Sequence, residues 1–149
     1  MRSDAGKAYL ILGASLGATT DISLADADYH LTGEESGDNA GYSVSSAGDV
    51  DGDGTSDILV GAPYSDDLDN SAGKAYLILG ASLGSTPSMS LADADVGLLG
   101  GFRSDRAGES VSGAGDMDGD GWSDILIGAA YADLEGQYSG QVSIILGGD

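Results

Sequence analysis

Asp49-Val50-Asp51-Gly52-Asp53-Gly54-Thr55-Ser56-Asp57, followed at once by Ile58-Leu59-Val60-Gly61-Ala62, is the stretch on which the reading of this chain turns. Its first nine residues put carboxylates at positions 1, 3, 5 and 9. Alternate carboxylates on a tightly turning loop converge on one point, and Gly54 at position 6 supplies the positive φ that such a turn requires. Without a cation the four charges would repel one another. Hard oxygen ligands select Ca²⁺ or Mg²⁺ over softer metals, and a flexible loop that can offer the carbonyl of Thr55 at position 7 favours Ca²⁺. The five residues that follow are a continuous apolar run, expected of a strand covered on both faces.

An EF-hand loop shares positions 1 to 9 but requires a bidentate Glu at position 12, where Val60 stands inside the apolar run. The flanks carry no amphipathic helices either, so an EF-hand is excluded. The whole stretch recurs 67 residues later as Asp116-Met117-Asp118-Gly119-Asp120-Gly121-Trp122-Ser123-Asp124, with Ile127 at position 12. Val50 becomes Met117 and Thr55 becomes Trp122, yet all eight Asp persist. What the copies share is the ligand set, which a merely solvated acidic turn would not explain.

The same offset runs through the chain. Gly6 to Ala72 lies on Gly73 to Ser139 without a gap, with 42 identities in 67 positions. Gly140 to Gly147 then begins a third copy of Gly73 to Gly80 and Gly6 to Gly13. An internal period of this size marks a solenoid, propeller or array, whose units bury their apolar faces against neighbours. Within each repeat the apolar segments are short, bounded by Gly, Ser, Asn and Asp, and none sustains helical spacing, so the chain reads as all β. The middle copy gives a small-residue inner strand at Tyr42 to Ala47, a second at Ile58 to Ala62, a third at Lys74 to Leu79 and an outer fourth at Val96 to Leu99, which matches Tyr29 to Thr32. Four antiparallel strands per unit make a β-propeller blade. The expected organisation is a partial blade over 1–38 (third and fourth strands, Lys7 to Leu12 and Tyr29 to Thr32), a blade over 39–105 with its loop at 49–57, and a blade over 106–149 with its loop at 116–124 and no outer strand.

Leu31-Thr32-Gly33-Glu34-Glu35-Ser36-Gly37-Asp38, then Ala40-Gly41, Asp49 to Asp57 and Gly61-Ala62-Pro63, resembles in order the FG-GAP repeat, which builds the β-propeller of integrin α subunits and of many bacterial extracellular proteins. The resemblance covers nearly the whole chain. It implies a four-stranded blade holding Ca²⁺ between its first two strands, through the side chains of Asp49, Asp51, Asp53 and Asp57 and the carbonyl of Thr55. In the second copy the matching ligands are Asp116, Asp118, Asp120 and Asp124 with the carbonyl of Trp122, giving two Ca²⁺ per chain. The family's Phe is Ala40 and Ala107 here, and the Pro of Gly-Ala-Pro is Ala130 in the second copy. Losing that Phe removes apolar contact near the start of each blade, so any weakness is expected in inter-blade packing rather than in metal binding.

Closed propellers have roughly 4 to 8 blades, and this chain encodes two, so the expectation is either an excerpt of a longer protein or an assembly of several copies, with assembly preferred. Cyclic closure of two-blade chains gives rings of 4, 6 or 8 blades from two, three or four copies, so the expected partner is the chain itself, as a homo-oligomer. In such a ring Lys7 to Leu12 and Val142 to Ile145 compete for one place, and one of them must be displaced or pair elsewhere.

Composition bounds the function. Of 149 residues 25 are Asp or Glu and 5 are Lys or Arg, a net charge of -20, which argues against a nucleic-acid binder. A hydrophobic fraction of 41% is too high for a disordered acidic tail. There is no Cys, so disulfides and thiolate metal sites are excluded. No apolar run approaches the roughly 18 residues of a membrane span, and Met1-Arg2-Ser3-Asp4 does not read as a signal peptide.

Other candidates are weaker. His30 has Gly97 as its counterpart and no nucleophile elbow nearby. Glu34-Glu35 and Asp66-Asp67 could form a carboxylate pair for glycoside hydrolysis, but their counterparts are Gly101, Phe102, Asp133 and Leu134. Trp122 and Tyr131 could stack on sugars or anchor a partner, or pack one blade on the next. Gly52-Asp53-Gly54 is no phosphate cradle, being surrounded by negative charge with no following Lys. The resulting expectation is a calcium-binding interaction or adhesion module, not an enzyme, at an extracellular or cell-surface location, with a protein or glycan ligand. The alternative is an accessory or catalytic segment of an extracellular hydrolase or carbohydrate-binding protein.

Overall fold

The computed structural model describes residues 5–17, 21–133 and 139–148; the outermost residues of the 1–38 and 106–149 units, and the segments 18–20 and 134–138 within them, lie outside that description. The strands are β1 (Lys7–Leu10), β2 (Tyr29–Thr32), β3 (Ser43–Gly48), β4 (Asp57–Ala62), β5 (Lys74–Ile78), β6 (Ser88–Ser90), β7 (Val96–Leu99), β8 (Ser110–Gly115), β9 (Asp124–Ala129) and β10 (Gln141–Ile145). Helical structure among the described residues is confined to single 3₁₀ turns such as Gly80–Ser82 and Leu91–Asp93.

The central sheet is the expected blade, antiparallel throughout in the order β3-β4-β5-β7. β3 pairs with β4 from Ser43↔Gly61 onward, with a bulge between Ser46 and Gly48 that hands the chain to the acidic loop. β8-β9-β10 repeats the first three strands, bulge included. The N-terminal sheet holds β1 and β2, and then an element with no counterpart in the sequence reading. β6 leaves the β5–β7 connection and adds to the outer edge of β2 in parallel, from His30↔Ser88 to Thr32↔Ser90. Ser88-Met89-Ser90 is too short and polar to register as a strand. Its role is positional, covering an edge that would otherwise present unpaired backbone groups. The three sheets do not close into a ring.

β4 explains the stacking. Successive side chains of a strand point to opposite faces, and this strand is apolar at every position from Ile58 to Ala62. Val60 and Ala62, with Tyr76 and Ile78 of β5, pack toward the N-terminal sheet against Leu31, Ala40 and Leu91. Leu59, with Ala75 and Leu77, packs the other way against Ala107, Ile125 and Ile127 of the third sheet. The first strand departs from expectation: Tyr42 precedes β3, and Tyr42 and Val44 lie exposed while Ala47 is buried.

The Ala residues that replace the aromatic of the repeat do not open the blade junction. Ala40 and Ala107 are buried and bridge in parallel to Gly6 and Gly73, with the amides of Ala40 and Ala107 donating to the carbonyls of Ala5 and Ala72 at 2.9 Å. Backbone meets backbone where a ring would have stood. The blades also cross closely at Gly61, where an added Cβ would stand 2.0 Å from the Gly108 carbonyl oxygen and 2.3 Å from Ser43 Oγ. Gly61→Ala is therefore expected to cost about 1–3 kcal/mol in urea unfolding. Gly84→Ala, with nothing within 4 Å of its Cβ, should stay within about 0.5 kcal/mol of the parent. Equal midpoints for the two variants would contradict the close crossing.

Candidate metal centre

Residues 49–57 link β3 to β4, and 116–124 link β8 to β9. The loops turn as tightly as the spacing requires because Gly52 and Gly54 adopt φ of 76° and 87°. Carboxylates hold the turn from inside. The amides of Asp53 and Gly54 donate to Asp51 Oδ1 (3.2 Å) and Asp49 Oδ2 (3.0 Å). Asp57, buried at the start of β4, accepts from the Val50 amide at 2.7 Å and from the Gly80 amide at 2.8 Å. In the second loop Asp116 accepts from the amides of Gly119, Asp120 and Gly121, and Asp124 accepts from Met117 (2.6 Å) and Gly147 (3.0 Å).

Each loop gathers three of its four carboxylates. Oxygens of Asp49, Asp51 and Asp57 lie within 4.8 Å of one another, as do those of Asp116, Asp118 and Asp120. Two oxygens bound to one Ca²⁺ at 2.3–2.6 Å are at most about 5 Å apart, so both clusters are of the right size for a single ion. The fourth carboxylate differs between the loops for a local reason. Asp53 is turned away to accept from the Thr55 hydroxyl (2.5 Å) and amide (2.7 Å), bonds that hold its carboxyl below the usual range. Trp122 has no hydroxyl, and its counterpart Asp120, which accepts only the Trp122 amide there, joins the cluster. In that loop it is Asp124 that stands outside the cluster, although it accepts a pair of backbone amides equivalent to the pair that Asp57 accepts in the first.

One atom tests whether the residues suit a cation. Asp49 Oδ1 is buried and has no hydrogen-bond partner. A carboxylate oxygen in that state is costly, and a cation among Asp49, Asp51 and Asp57 would remove the cost. Thr55 and Trp122 occupy the seventh position of each loop. The Trp122 indole reaches the neighbouring loop: a Cβ on Gly52 would stand 2.0 Å from its Nε1, and one on Gly148 2.1 Å from its Cε3. The Ser123 amide also donates to the Asp49 carbonyl at 2.8 Å. Trp122 thus packs blade on blade.

The remaining candidates have structural occupations. Tyr131 and Tyr64 flank the Arg106 guanidinium, at 4.2 and 5.1 Å from the ring centroids. His30 packs edge-on against Tyr9. Glu34 and Asp67 both accept from Lys74 Nζ, at 2.5 and 2.6 Å. Burial works against the Lys74 charge, yet these two carboxylates outweigh it and hold the ammonium above its usual range. The sequence reading missed Lys74, which has the uncharged Gln141 as one counterpart. It also gave no role to Asp38 and Asp105, buried residues that accept from the amides three positions earlier, Glu35 and Phe102. Their persistence in both copies was the available signal. Burial raises the Asp38 carboxyl above its usual range.

The FG-GAP repeat family matches the chain twice, over residues 40–78 and 107–145. Among curated relatives, integrin alpha-IIb of Mus musculus is 37% identical over 127 residues, 80% of this chain and 11% of the relative. Integrin alpha-PS2 of Drosophila melanogaster is 35% identical over 115 residues, 73% and 8% respectively. Integrin alpha pat-2 of Caenorhabditis elegans is 36% identical over 101 residues, 66% and 8%. The chain thus spans about a tenth of the length of these relatives. No helix among the described residues is long and apolar enough to cross a membrane. With the strand order of a propeller blade, two family matches and this identity over most of its length, the chain belongs to the FG-GAP repeat family and is similar to the β-propeller of integrin α subunits.

Proposed function

We propose that the chain is a calcium-stabilised, adhesion-type interaction module acting outside the cell, with one Ca²⁺ in each acidic loop. The observation that carries the reading is the unpartnered, buried Oδ1 of Asp49 inside a three-carboxylate cluster. Asp49, Asp51 and Asp57 would hold the first ion, with Asp53 and the Thr55 carbonyl completing its shell. Asp116, Asp118 and Asp120 would hold the second, with Asp124 and the Trp122 carbonyl. The ion's chemistry here is charge neutralisation and cross-linking, because Asp57 already ties its loop to the Val50 and Gly80 amides. Extracellular modules bind Ca²⁺ at roughly 10⁻⁴–10⁻³ M, a range suited to structural occupancy. The ligand that such a module presents itself to is a protein or glycan on an exposed face of the blades. The carboxylates that might have served a hydrolase, Glu34 and Asp67, are neutralised by Lys74, which favours the adhesion reading.

Calcium at about a hundredfold over its dissociation constant should add about 2.7 kcal/mol per site. For a chain of this size that is a rise of roughly 5–10 °C in Tm per site over the chelated protein. An unchanged Tm would refute the metal reading. Asp49→Asn should remove about half of the combined rise from the two sites and one equivalent of Ca²⁺ in calorimetric titration. In chelator the same variant should be at least as stable as the parent, since a charge facing two carboxylates has gone. Asp116→Asn should likewise remove one equivalent of Ca²⁺ at the second loop, but should also lower stability in chelator, because both Asp116 oxygens accept loop amides; two equivalents bound by either variant would place the ions elsewhere.

A further inference from the structure

The two acidic loops can be laid on each other bond for bond. The Val50 amide donates to Asp57 in the first loop as Met117 does to Asp124 in the second, and the Gly80 amide donates to Asp57 as Gly147 does to Asp124. Within the turn Asp53 donates to Asp51 at 3.2 Å and Gly54 to Asp49 at 3.0 Å, where Asp120 donates to Asp118 at 3.1 Å and Gly121 to Asp116 at 2.9 Å. The amide of the seventh residue closes on the fifth in each, Thr55 on Asp53 and Trp122 on Asp120. Both turns are built on the same scaffold.

Two amide bonds break the match, and both end on one atom. Asp116 Oδ1 accepts from the Gly119 amide at 2.6 Å and from the Asp120 amide at 3.1 Å. Its counterpart, Asp49 Oδ1, accepts neither and is buried without a partner. A carboxylate oxygen offers about two lone-pair sites, so Asp116 Oδ1 is engaged by its own loop and must give up an amide to ligate a cation. Asp49 Oδ1 gives up nothing. The Thr55 hydroxyl works the other way by drawing Asp53 aside, but it leaves the first loop with three gathered carboxylates, as many as the second loop gathers. The difference that remains lies at the first position of each loop.

Trp122 accounts for it. Gly52 and Gly119, whose amides are equivalent, share a positive φ of 76° and 84°. What covers them differs: a Cβ on Gly52 would meet Trp122 Nε1 at 2.0 Å, whereas one on Gly119 would meet nothing within 4 Å. The corner that lies under the indole is the one that does not close on its carboxylate.

We propose that the loops are unequal calcium sites, the first filling before the second, and that Trp122 is the positioning residue that keeps Asp49 Oδ1 open. The inference rests on the calcium reading given above. Occupancy is then ordered. At ion concentrations between the two affinities the chain carries one Ca²⁺ beside Asp49, and the loop at Asp116 fills only where the ion is abundant enough to displace that loop's own amides.

The test is a calcium titration of the full chain followed by amide NMR, which reads the loops separately. Amides of 49–57 are expected to shift over the first equivalent and those of 116–124 over the second. The first site should be tighter by roughly tenfold or more, the worth of a hydrogen bond to a charged group. Asp51→Asn and Asp118→Asn each remove one clustered carboxylate while keeping an oxygen for the amide it accepts. In calorimetry Asp118→Asn should therefore retain the tighter site and Asp51→Asn the weaker one. Trp122→Ala should bring the two affinities together, and Trp122→Phe should keep them apart. A second loop that fills first, or equal affinities in the two Asn variants, overturns the ordering while leaving calcium binding intact. No bound calcium at all overturns both. A gap that Trp122→Ala leaves unchanged overturns the role of Trp122.

Discussion

Leu59 and Val60 are neighbours in β4, both fully buried, and they face opposite ways. A strand with that property cannot be satisfied by one sheet, because each of its faces needs another sheet laid on it. The rest of the molecule follows from this demand. The blades must come close, which is why Gly61 faces Gly108 and why the Ala40 and Ala107 amides reach across to the preceding blade. Small residues at the crossings are what bring two backbones into hydrogen-bonding distance, and they replace the packing that a large ring would supply.

The acidic loops rest on the same strand. Asp57 is at once the ninth residue of the loop and the first of β4, and its two oxygens take amides from the loop's second residue and from the turn after β5. The loop is therefore anchored to the second and third strands of its blade before any ion is considered. That anchoring leaves Asp49, Asp51 and Asp57 within 4.8 Å of each other, an arrangement of like charge that only a folded blade can impose.

Sequence carried much of this because its signals were local and doubled. Loop spacing, glycine positions and the apolar run of β4 are each written in contiguous residues, and the second copy separated what is constant from what drifts. The strands of the central blade came out in order for that reason. What escaped were features made by residues far apart. β6 is three residues with one apolar side chain, and it becomes a strand only because the edge of β2 lies beside it. Lys74 is an ordinary strand residue until Glu34, forty positions earlier, meets it across a blade junction. The departure of Asp53 from its cluster depends on the hydroxyl of Thr55, a detail of side-chain geometry that the pattern of carboxylates does not encode.

Trp122 packs between blades, and its placement has a thermodynamic side. Its indole lies against Gly52 of the first acidic loop, and the amide of the next residue is bonded to the carbonyl of Asp49, the first carboxylate of that loop. The two loops are thus one mechanical unit. A contact of this kind is the physical route by which ordering one loop would lessen the conformational entropy left for the other to lose. Such coupling is reciprocal, so the face of the propeller that carries the loops would stiffen as a whole rather than blade by blade.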